Sequence, residues 1–530
     1  APYDLGWLKA LDIPVNGPII DTMIMAALLD ENRYSYSLNA LSYDYLGEAK
    51  SEKLLTQAAV DFGVDPKAEL WKLPSQFVGP YAEMDARLAF DLYKFFKLEI
   101  AKQDLNTVWD LETRLTPCLI DMTYRGIRVD MDRCERTKQA LIKREKAVLK
   151  KIEDQAGGEV EIWAAASLAK AFDKLNIKYP RTATGQPSFT KSFLSDNPHE
   201  FAKMVVEARN LNKVQGTFVS SIMRYVSKEG RIHGHINQLR SDDGGTVSGR
   251  LSMSNPNLQQ IPARDPELGP MIRSLFLPEE DEQWAAIDFS QQEPRILVHY
   301  AQIFGQWKSR PLGGAQDFVD AYNDDPDTDF HSMVAEMAQI PRKQAKTINL
   351  GMMYGMGVNK LADQLDVDVD TAKEITKQYH NRVPFVKELM SGVSRAVDQK
   401  DDGSIRSLKG RKCRFDMFEP LGYELKKALP KKEARAEYGD TTPLRRAYTY
   451  KALNRLIQAS AADMTKQAMV DLYEAGERPL LQVHDELGCS VRDLEHAKKI
   501  REVMEGAIKL QVPNKCDIDL GPSWGEAVEV

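Results

Sequence analysis

The sequence predicts a multidomain α/β protein in which one sheet is completed by strands far apart along the chain. Two observations carry that expectation. QWAAIDFS is an apolar run that ends in an acidic group, Asp288, and RPLLQVHDELGCSVR reads as a hairpin with His484, Asp485 and Glu486 at its bend. Mostly helical sequence lies between them. Successive strand side chains alternate between faces, so Leu481 and Val483 can face a core while a neighbouring carboxylate points elsewhere. Acidic residues also commonly begin turns, so each carboxylate taken alone fits an ordinary hairpin equally well.

The remaining elements follow in order. Residues 1–104 read as a small α/β unit. In it, PIIDTMIMAALLDEN has helical apolar spacing, SYSLNALSYDYLG is a short helix closed by Gly47, and YAEMDARLAFDLYKFFKLEI is strongly periodic. Ala1, Pro2 and Tyr3 leave no room for a first strand, so the chain is expected to begin inside a domain. Residues 105–230 are helical, with a long charged stretch from Met131 to Gln155 stopped by Gly157 and Gly158, the loop TATGQPSFT, and renewed helical spacing in EFAKMVVEARNLNKVQGTFVSSIMRYV. Long paired helices with polar outer faces suit an arm lying along a duplex, and equally an ordinary bundle. Beyond them RIHGHINQL alternates like a strand, SDDGG and DDGSI are turns, residues 330–400 are helical, and YTYKALNRLIQASAADMTKQAMVDLYEAG is a long helix stopped by Gly476.

The chain has 530 residues, 43% of them hydrophobic and 28% charged, which excludes a disordered or fibrous chain. No apolar run reaches membrane-spanning length, and no signal peptide opens the sequence. Five cysteines stand far apart with no Cys-x-x-Cys pair, which argues against a zinc site and fits a reducing, intracellular compartment. The net charge of -7 argues against indiscriminate coating of a polyanion. It conceals basic stretches, RSLKGRKCR (Arg406 to Arg414) and KKALPKKEAR, and an acidic one, YNDDPDTD. A nucleic-acid enzyme needs cations along its track and carboxylates at its metal site, and such a combination can sum to a negative number.

Asp288 and Asp485 acquire meaning as a pair. Attack of a hydroxyl on a triphosphate uses two divalent ions about 4 Å apart, and carboxylates brought together from distant strands can bridge such hard, oxygen-seeking ions. A third stretch strengthens the reading. In PRKQAKTINLGMMYGMG, Arg342, Lys346, Leu350 and Tyr354 recur every fourth residue and share one stripe of a helix. Two cations followed by an apolar and an aromatic residue describe a face able to grip phosphates at one end and pack on a sugar and base at the other.

These stretches together resemble the family A DNA polymerases, the group of bacterial DNA polymerase I and many phage replicases. DFSQQEPR resembles the first palm motif, RKQAKTINLGMMYG the fingers helix and QVHDE the last palm motif. The resemblance implies a right-hand fold of palm, fingers and thumb, preceded by a ribonuclease H-like exonuclease domain that is incomplete at its N-terminus. The implied limits are 1–104 for the partial exonuclease, 105–230 for the thumb region, 231–300 and 446–530 for the palm, and 301–445 for the fingers. The implied activity is template-directed addition of deoxynucleotides to a primer. Asp288 and Asp485 would hold two Mg2+ ions, with Mn2+ as a substitute, and Glu486 would assist. Arg342, Lys346 and His331 would hold the triphosphate, Glu293 would exclude a 2′-hydroxyl, and Leu350 and Tyr354 would line the nucleotide site. TVSGRLSMSNPNLQQIP resembles the duplex-contact segment, in which Arg250 would reach the minor groove. Asn454, Gln458 and His484 would test the groove's acceptors, which occupy similar positions in every correct pair.

YAEMD resembles the third exonuclease motif, with Tyr81 orienting water and Asp85 binding metal, and APYDLGW the second, with Asp4. The first motif is expected upstream of Ala1. Leu350 stands where most relatives place Phe or Tyr, residues 415–445 look longer than the usual connection, and KALNRLIQ and MTKQAM are worded as in phage enzymes. The expected partners are primer-template DNA and dNTPs, bound by a monomer without a membrane, in the host cytoplasm if the source is a phage; no processivity partner is identifiable. A non-catalytic DNA-binding platform or a primer-holding protein would have no use for the Arg342 to Tyr354 stripe. An RNA-copying or template-independent enzyme could keep every catalytic group, and only Glu293 speaks for a deoxynucleotide product.

Overall fold

The computed structural model describes residues 2–50, 52–262, 265–353, 355–422 and 427–530. At its centre is a five-stranded antiparallel sheet in the order Leu481–Val483, Glu486–Val491, Gln283–Phe289, Cys516–Gly521, Val528–Glu529. The long-range assembly expected from the two apolar runs is therefore present. Both faces of the middle strand are covered, which explains why QWAAIDF is continuously apolar instead of alternating. Trp284 and Ala286 pack with Leu481, Val483 and Trp524 on one face, while Ala285, Ile287 and Phe289 join the larger core on the other. Gly488 lies beside Trp284, whose ring comes within 2.6 Å of where a Cβ would stand, so a side chain there would displace the indole.

The helix Ala452–Glu474 crosses the larger core and is buried almost all round, including Asp463 and Lys466. Charged groups in that position need partners. Residues 330–399 form Phe330–Ala338, Arg342–Met353, Val358–Leu365, Val369–Arg382 and Pro384–Gln399. In the 105–230 stretch, Met131–Ala156 packs against Glu200–Lys213, burying Cys134, Leu141 and Val148 at heptad spacing and ending at Gly157 in the left-handed conformation (φ 64°). Residues 417–446 carry a small three-stranded sheet and the helix Lys431–Tyr438.

Two expectations need correction. The described residues ahead of Ile127–Val129 form helices and no strand, so the α/β character expected for residues 1–104 is represented by its helical part alone. RIHGHINQL is also not one strand: Arg231–Ile232 and His235–Asn237 belong to separate sheets.

The basic run RSLKGRKCR has a structural fate that its charge does not reveal. It is a hairpin, Ser404–Arg406 with Lys412–Arg414, whose arginines are consumed internally. Arg406 donates to the carbonyls of Gln103 and Asp104, and Arg414 pairs with Glu31 at 2.5 Å. Arg411 is buried between Glu112 (2.5 Å) and Asp463 (2.9 Å). This hairpin fastens the N-terminal helices to the helix Ala452–Glu474, and these three arginines are taken up by internal partners.

Candidate active site

The register of the central sheet builds the acidic site. Glu486 and Asp517 lie directly opposite Asp288 on its two neighbouring strands. Residues opposite one another share a face, so three carboxylates form a row across the sheet. Asp485 sits in the two-residue turn between Val483 and Glu486, where His484 adopts a positive φ of 61° and the Asp485 carbonyl accepts from the Phe289 N–H at 3.4 Å. The hairpin and the acidic site are thus the same object.

The row is crowded and largely out of water. Burial, then the facing Asp485, Glu486 and Asp517, push the Asp288 carboxyl far above its ordinary range, and one of its oxygens is buried without a hydrogen-bond partner among the described residues. Burial likewise raises Asp485, against the attraction of His484 and Arg250. Glu486 is raised by burial although Trp524 Nε1 donates to it at 2.8 Å. A cation from solution would relieve all three groups. No group of three or more His, Cys, Asp or Glu closes around one point among the described residues.

Beside the row opens a cavity of about 370 Å³ whose walls include Arg250, Glu293, His331, Leu350, His484 and Asp485. These six come from five separate stretches of sequence and meet here. Glu293 stands in the first turn of Gln292–Trp307 and accepts from Arg250 Nη2 at 2.5 Å. His331 is buried and held by Asn349 (2.9 Å), which accepts in turn from the Tyr379 hydroxyl (2.7 Å). Burial lowers the His331 pKa, favouring neutral imidazole.

Other expected site residues lie outside the cavity wall. Arg342 is exposed at the start of its helix and pairs with Asp329 at 2.6 Å; although burial acts against it, this pairing and the Ser332 N–H hold the Asp329 carboxyl down at about 2. Lys346 is exposed one turn further on. Asn454 and Gln458 are half-buried on Ala452–Glu474. Tyr354 lies outside the described residues. A further cavity of about 450 Å³, lined by Lys427, Glu433 and Tyr438 among others, contains none of the expected site residues.

At the N-terminal end, Tyr81 and Asp85 are one turn apart on Ser75–Lys102 and both engage Lys50, whose Nζ lies 3.0 Å from the Tyr81 hydroxyl and 2.8 Å from the Asp85 carboxylate. Asp4 is on another helix, Pro2–Ala10, which docks along Asn106–Arg125 through a Lys9–Asp121 pair of 2.5 Å.

Residues 131–526 match the profile of DNA polymerase family A. The chain belongs to that family. Residues 1–101 match the profile of the 3′-5′ exonuclease. The DNA-directed DNA polymerase of Pseudomonas phage M6 is 35% identical to this family A chain, over 99% of the chain and 82% of the phage protein. The DNA polymerase DpoZ of Acinetobacter phage SH-Ab 15497 is 31% identical over 98% and 87%, and DNA polymerase I of Geobacillus stearothermophilus 30% identical over 98% and 57%. Among solved structures, the POL domain of Pol1 from M. smegmatis in complex with DNA primer-template and dNTP superposes with a TM-score of 0.74, at 26% identity, covering 95% of this chain and 82% of that one. This family A chain is a DNA-directed DNA polymerase with the palm, fingers and thumb architecture, and two-metal-ion chemistry is typical of its family.

Sequence reasoning missed three participants. Asp517 could have been found from the alternation in CDIDLG, which puts Asp517 and Asp519 on one face of a strand. Trp524 and Lys50 gave no comparable signal, since an isolated indole or lysine carries no spacing.

Proposed function

We propose that nucleotide addition takes place in the cavity beside Asp288 and Asp485, with dNTPs as substrates and primer-template DNA as partner. The observation that carries this reading is the row of carboxylates with Asp288 at its centre: Asp517 at one side pairs with Lys515 (3.3 Å), while Asp288 itself makes no ion pair among the described residues. Asp288 and Asp485 would hold two magnesium ions, with manganese as a substitute; bound there, they lower the pKa of the primer hydroxyl and offset charge on the triphosphate oxygens. Glu486 keeps the Asp485 turn in register and adds negative potential. Lys346 and Arg342 bind the triphosphate, Arg342 exchanging Asp329 for phosphate, and His331 donates a further hydrogen bond. Glu293 takes the space where a 2′-hydroxyl would sit, while Leu350 packs on the sugar and Tyr354 borders the base pair. Arg250, Asn454, Gln458 and His484 meet minor-groove acceptors of the duplex.

Asp4, Tyr81 and Asp85 contribute to a proofreading 3′-5′ exonuclease. Metal-dependent loss of single-stranded 3′ ends, reduced by Asp4→Ala and Asp85→Ala, tests that role; unaffected degradation would refute it. The protein works as a monomer in the cytoplasm of a phage-infected host.

Primer extension on a defined DNA template tests the central reading. Asp288→Ala or Asp485→Ala should slow the chemical step by several orders of magnitude while primer-template binding changes little. Near-normal extension by either variant would overturn it.

A further inference from the structure

Arg342 is already engaged before a substrate arrives. It opens the helix Arg342–Met353, which packs on Phe330–Ala338, and Asp329 stands at the cap of that neighbouring helix. The guanidinium meets the Asp329 carboxylate through two donors, Nε on one oxygen at 3.2 Å and Nη2 on the other at 2.6 Å, and Nε also lies 3.2 Å from the Ser332 hydroxyl. An arginine grips a phosphate with the same two-pronged geometry, so the edge of the fork that faces Asp329 is closed to a phosphate while the pair lasts. The first turn of Arg342–Met353 carries no acidic residue, which leaves the positive end of that helix to an anion from another element. Asp329 supplies it, while capping its own helix by accepting from the Ser332 N–H at 2.6 Å. The pair is open to water, with the Arg342 side chain 55% exposed and that of Asp329 32%, and an ion pair of that exposure is weak enough for a polyphosphate to take apart. His331, two residues beyond Asp329, is buried and lines the nucleotide cavity, so the pair borders the place where the phosphates are proposed to lie.

We propose that Asp329 is a positioning residue for Arg342 that acts as a resident stand-in for phosphate. It holds the guanidinium in the empty enzyme, gives it up when a triphosphate binds, and takes it back as pyrophosphate leaves. The inference rests on the reading of Arg342 as a triphosphate ligand given above. A competitor that occupies one ligating group reduces the competent fraction of the protein, which weakens every ligand of that group by the same factor and leaves other ligands alone. Asp329 thereby lowers the affinity for a dNTP and for a bare polyphosphate alike, without altering the affinity for primer-template DNA. The weaker grip favours release of the product, since pyrophosphate keeps Arg342 only as long as it excludes the carboxylate.

The test compares dissociation constants for a matched dNTP and for inorganic tripolyphosphate, each measured by titration calorimetry in magnesium on complexes with a dideoxy-terminated primer-template, so that no chemistry follows binding. Asp329→Asn removes the charge and keeps an N-cap oxygen, and Asp329→Ser does the same with a shorter group. Both variants should bind both ligands more tightly, by roughly twofold to fivefold and by the same factor, as the worth of a partly exposed ion pair implies. Primer-template affinity should not change. Arg342→Met should weaken both ligands, and in that background Asp329→Asn should bring no gain, because no guanidinium is left to release. Unchanged or weaker binding in both Asp329 variants, or a gain confined to one of the two ligands, would overturn the inference. A gain that persists in the Arg342→Met background would overturn it as well, since it would report general repulsion between the carboxylate and the phosphates. Wild-type affinity for both ligands in Arg342→Met would defeat the reading of Arg342 itself, and the inference falls with it.

Discussion

Two clusters of carboxylates lie close to the long helix Ala452–Glu474 and the central sheet, and the molecule treats them in opposite ways. Around Asp288, Glu486 and Asp517 stand in a row with Asp485 at its end, and the described neighbours bring Asp288 no ion pair. Glu112 and Asp463 are more deeply buried, yet Arg411 and Lys466 are packed against them, with Gln238 and Ser407 satisfying the remaining oxygens. Burying an ion costs several kcal/mol unless it is paired, so an internal acid cluster is tolerable either with its own bases or with a cation brought from outside. One cluster carries its own buried bases; in the other the described ion pair is that of Asp517 with Lys515 (3.3 Å), Asp288 has none, and we propose that this second cluster is the functional one. The distinction lies in the partners, since the acidic residues themselves are alike.

The largest effect that would sharpen this contrast comes from removing a partner. Arg411→Ala leaves Glu112 and Asp463 short of a cation inside the core and should cost about 3–5 kcal/mol of stability. It also removes the surface on which Gly249 rests. Denaturant unfolding of the palm transition measures it; a loss near zero would mean that the cluster is already hydrated or easily repacked.

A smaller effect concerns pH. Burial opposes charge on Glu112, yet Lys466 and Arg411 together hold its carboxyl below the ordinary value of 4.5. Burial pulls Lys466 down to about 8 even against the attraction of Glu112, so on the acid limb it is the Glu112 carboxylate that titrates. With a depressed folded pKa, the unfolded state binds more protons below pH 4.5, so this contribution is present above that pH and lost as pH falls through the folded value. Glu112→Gln should therefore flatten the acid limb of the stability curve while lowering stability at neutral pH. An unchanged acid limb would show that other carboxylates dominate acid unfolding.

How much of this was legible in the sequence follows the same division. Asp288, Asp485 and Glu486 stood out because a carboxylate at the end of an apolar run conflicts with its pattern, and Gly47, Gly157 and Gly476 marked helix ends through their left-handed turns. Asp517 is legible only through the alternation of CDIDLG. The Arg406 to Arg414 run reads in the sequence only as a basic stretch, because a count of charges contains no information about burial and its acidic partners Glu31, Glu112 and Asp463 are distant in sequence. Helical spacing likewise put Arg342, Lys346 and Leu350 on one stripe, but only Leu350 lines the cavity, because Asp329 at the cap of the preceding helix captures Arg342.

The smallest predicted effect is at Leu350. It shares the cavity wall with Glu293 and Arg250, has no hydroxyl, and cannot lie flat on a sugar as a ring does. The enzyme should discriminate against dideoxynucleotides, and Leu350→Tyr should relax that discrimination by about 2-fold to 13-fold, the worth of one hydrogen bond of roughly 0.5–1.5 kcal/mol. The ratio of efficiencies for matched deoxy and dideoxy substrates reads it; equal ratios in both proteins would mean that Leu350 does not face the sugar.

The contrast between the two clusters is tested most directly by counting bound cations. Manganese binding is followed by electron paramagnetic resonance in complexes of the polymerase with a dideoxy-terminated primer-template and a matched dNTP, for the wild type and for Asp485→Asn. Two tightly bound ions per wild-type complex are expected, with at least one weakened in Asp485→Asn, whose fold should melt no earlier because only like-charge crowding has been removed. The same two ions, held with the same affinity in Asp485→Asn, would contradict the assignment of Asp288 and Asp485 to the metal site.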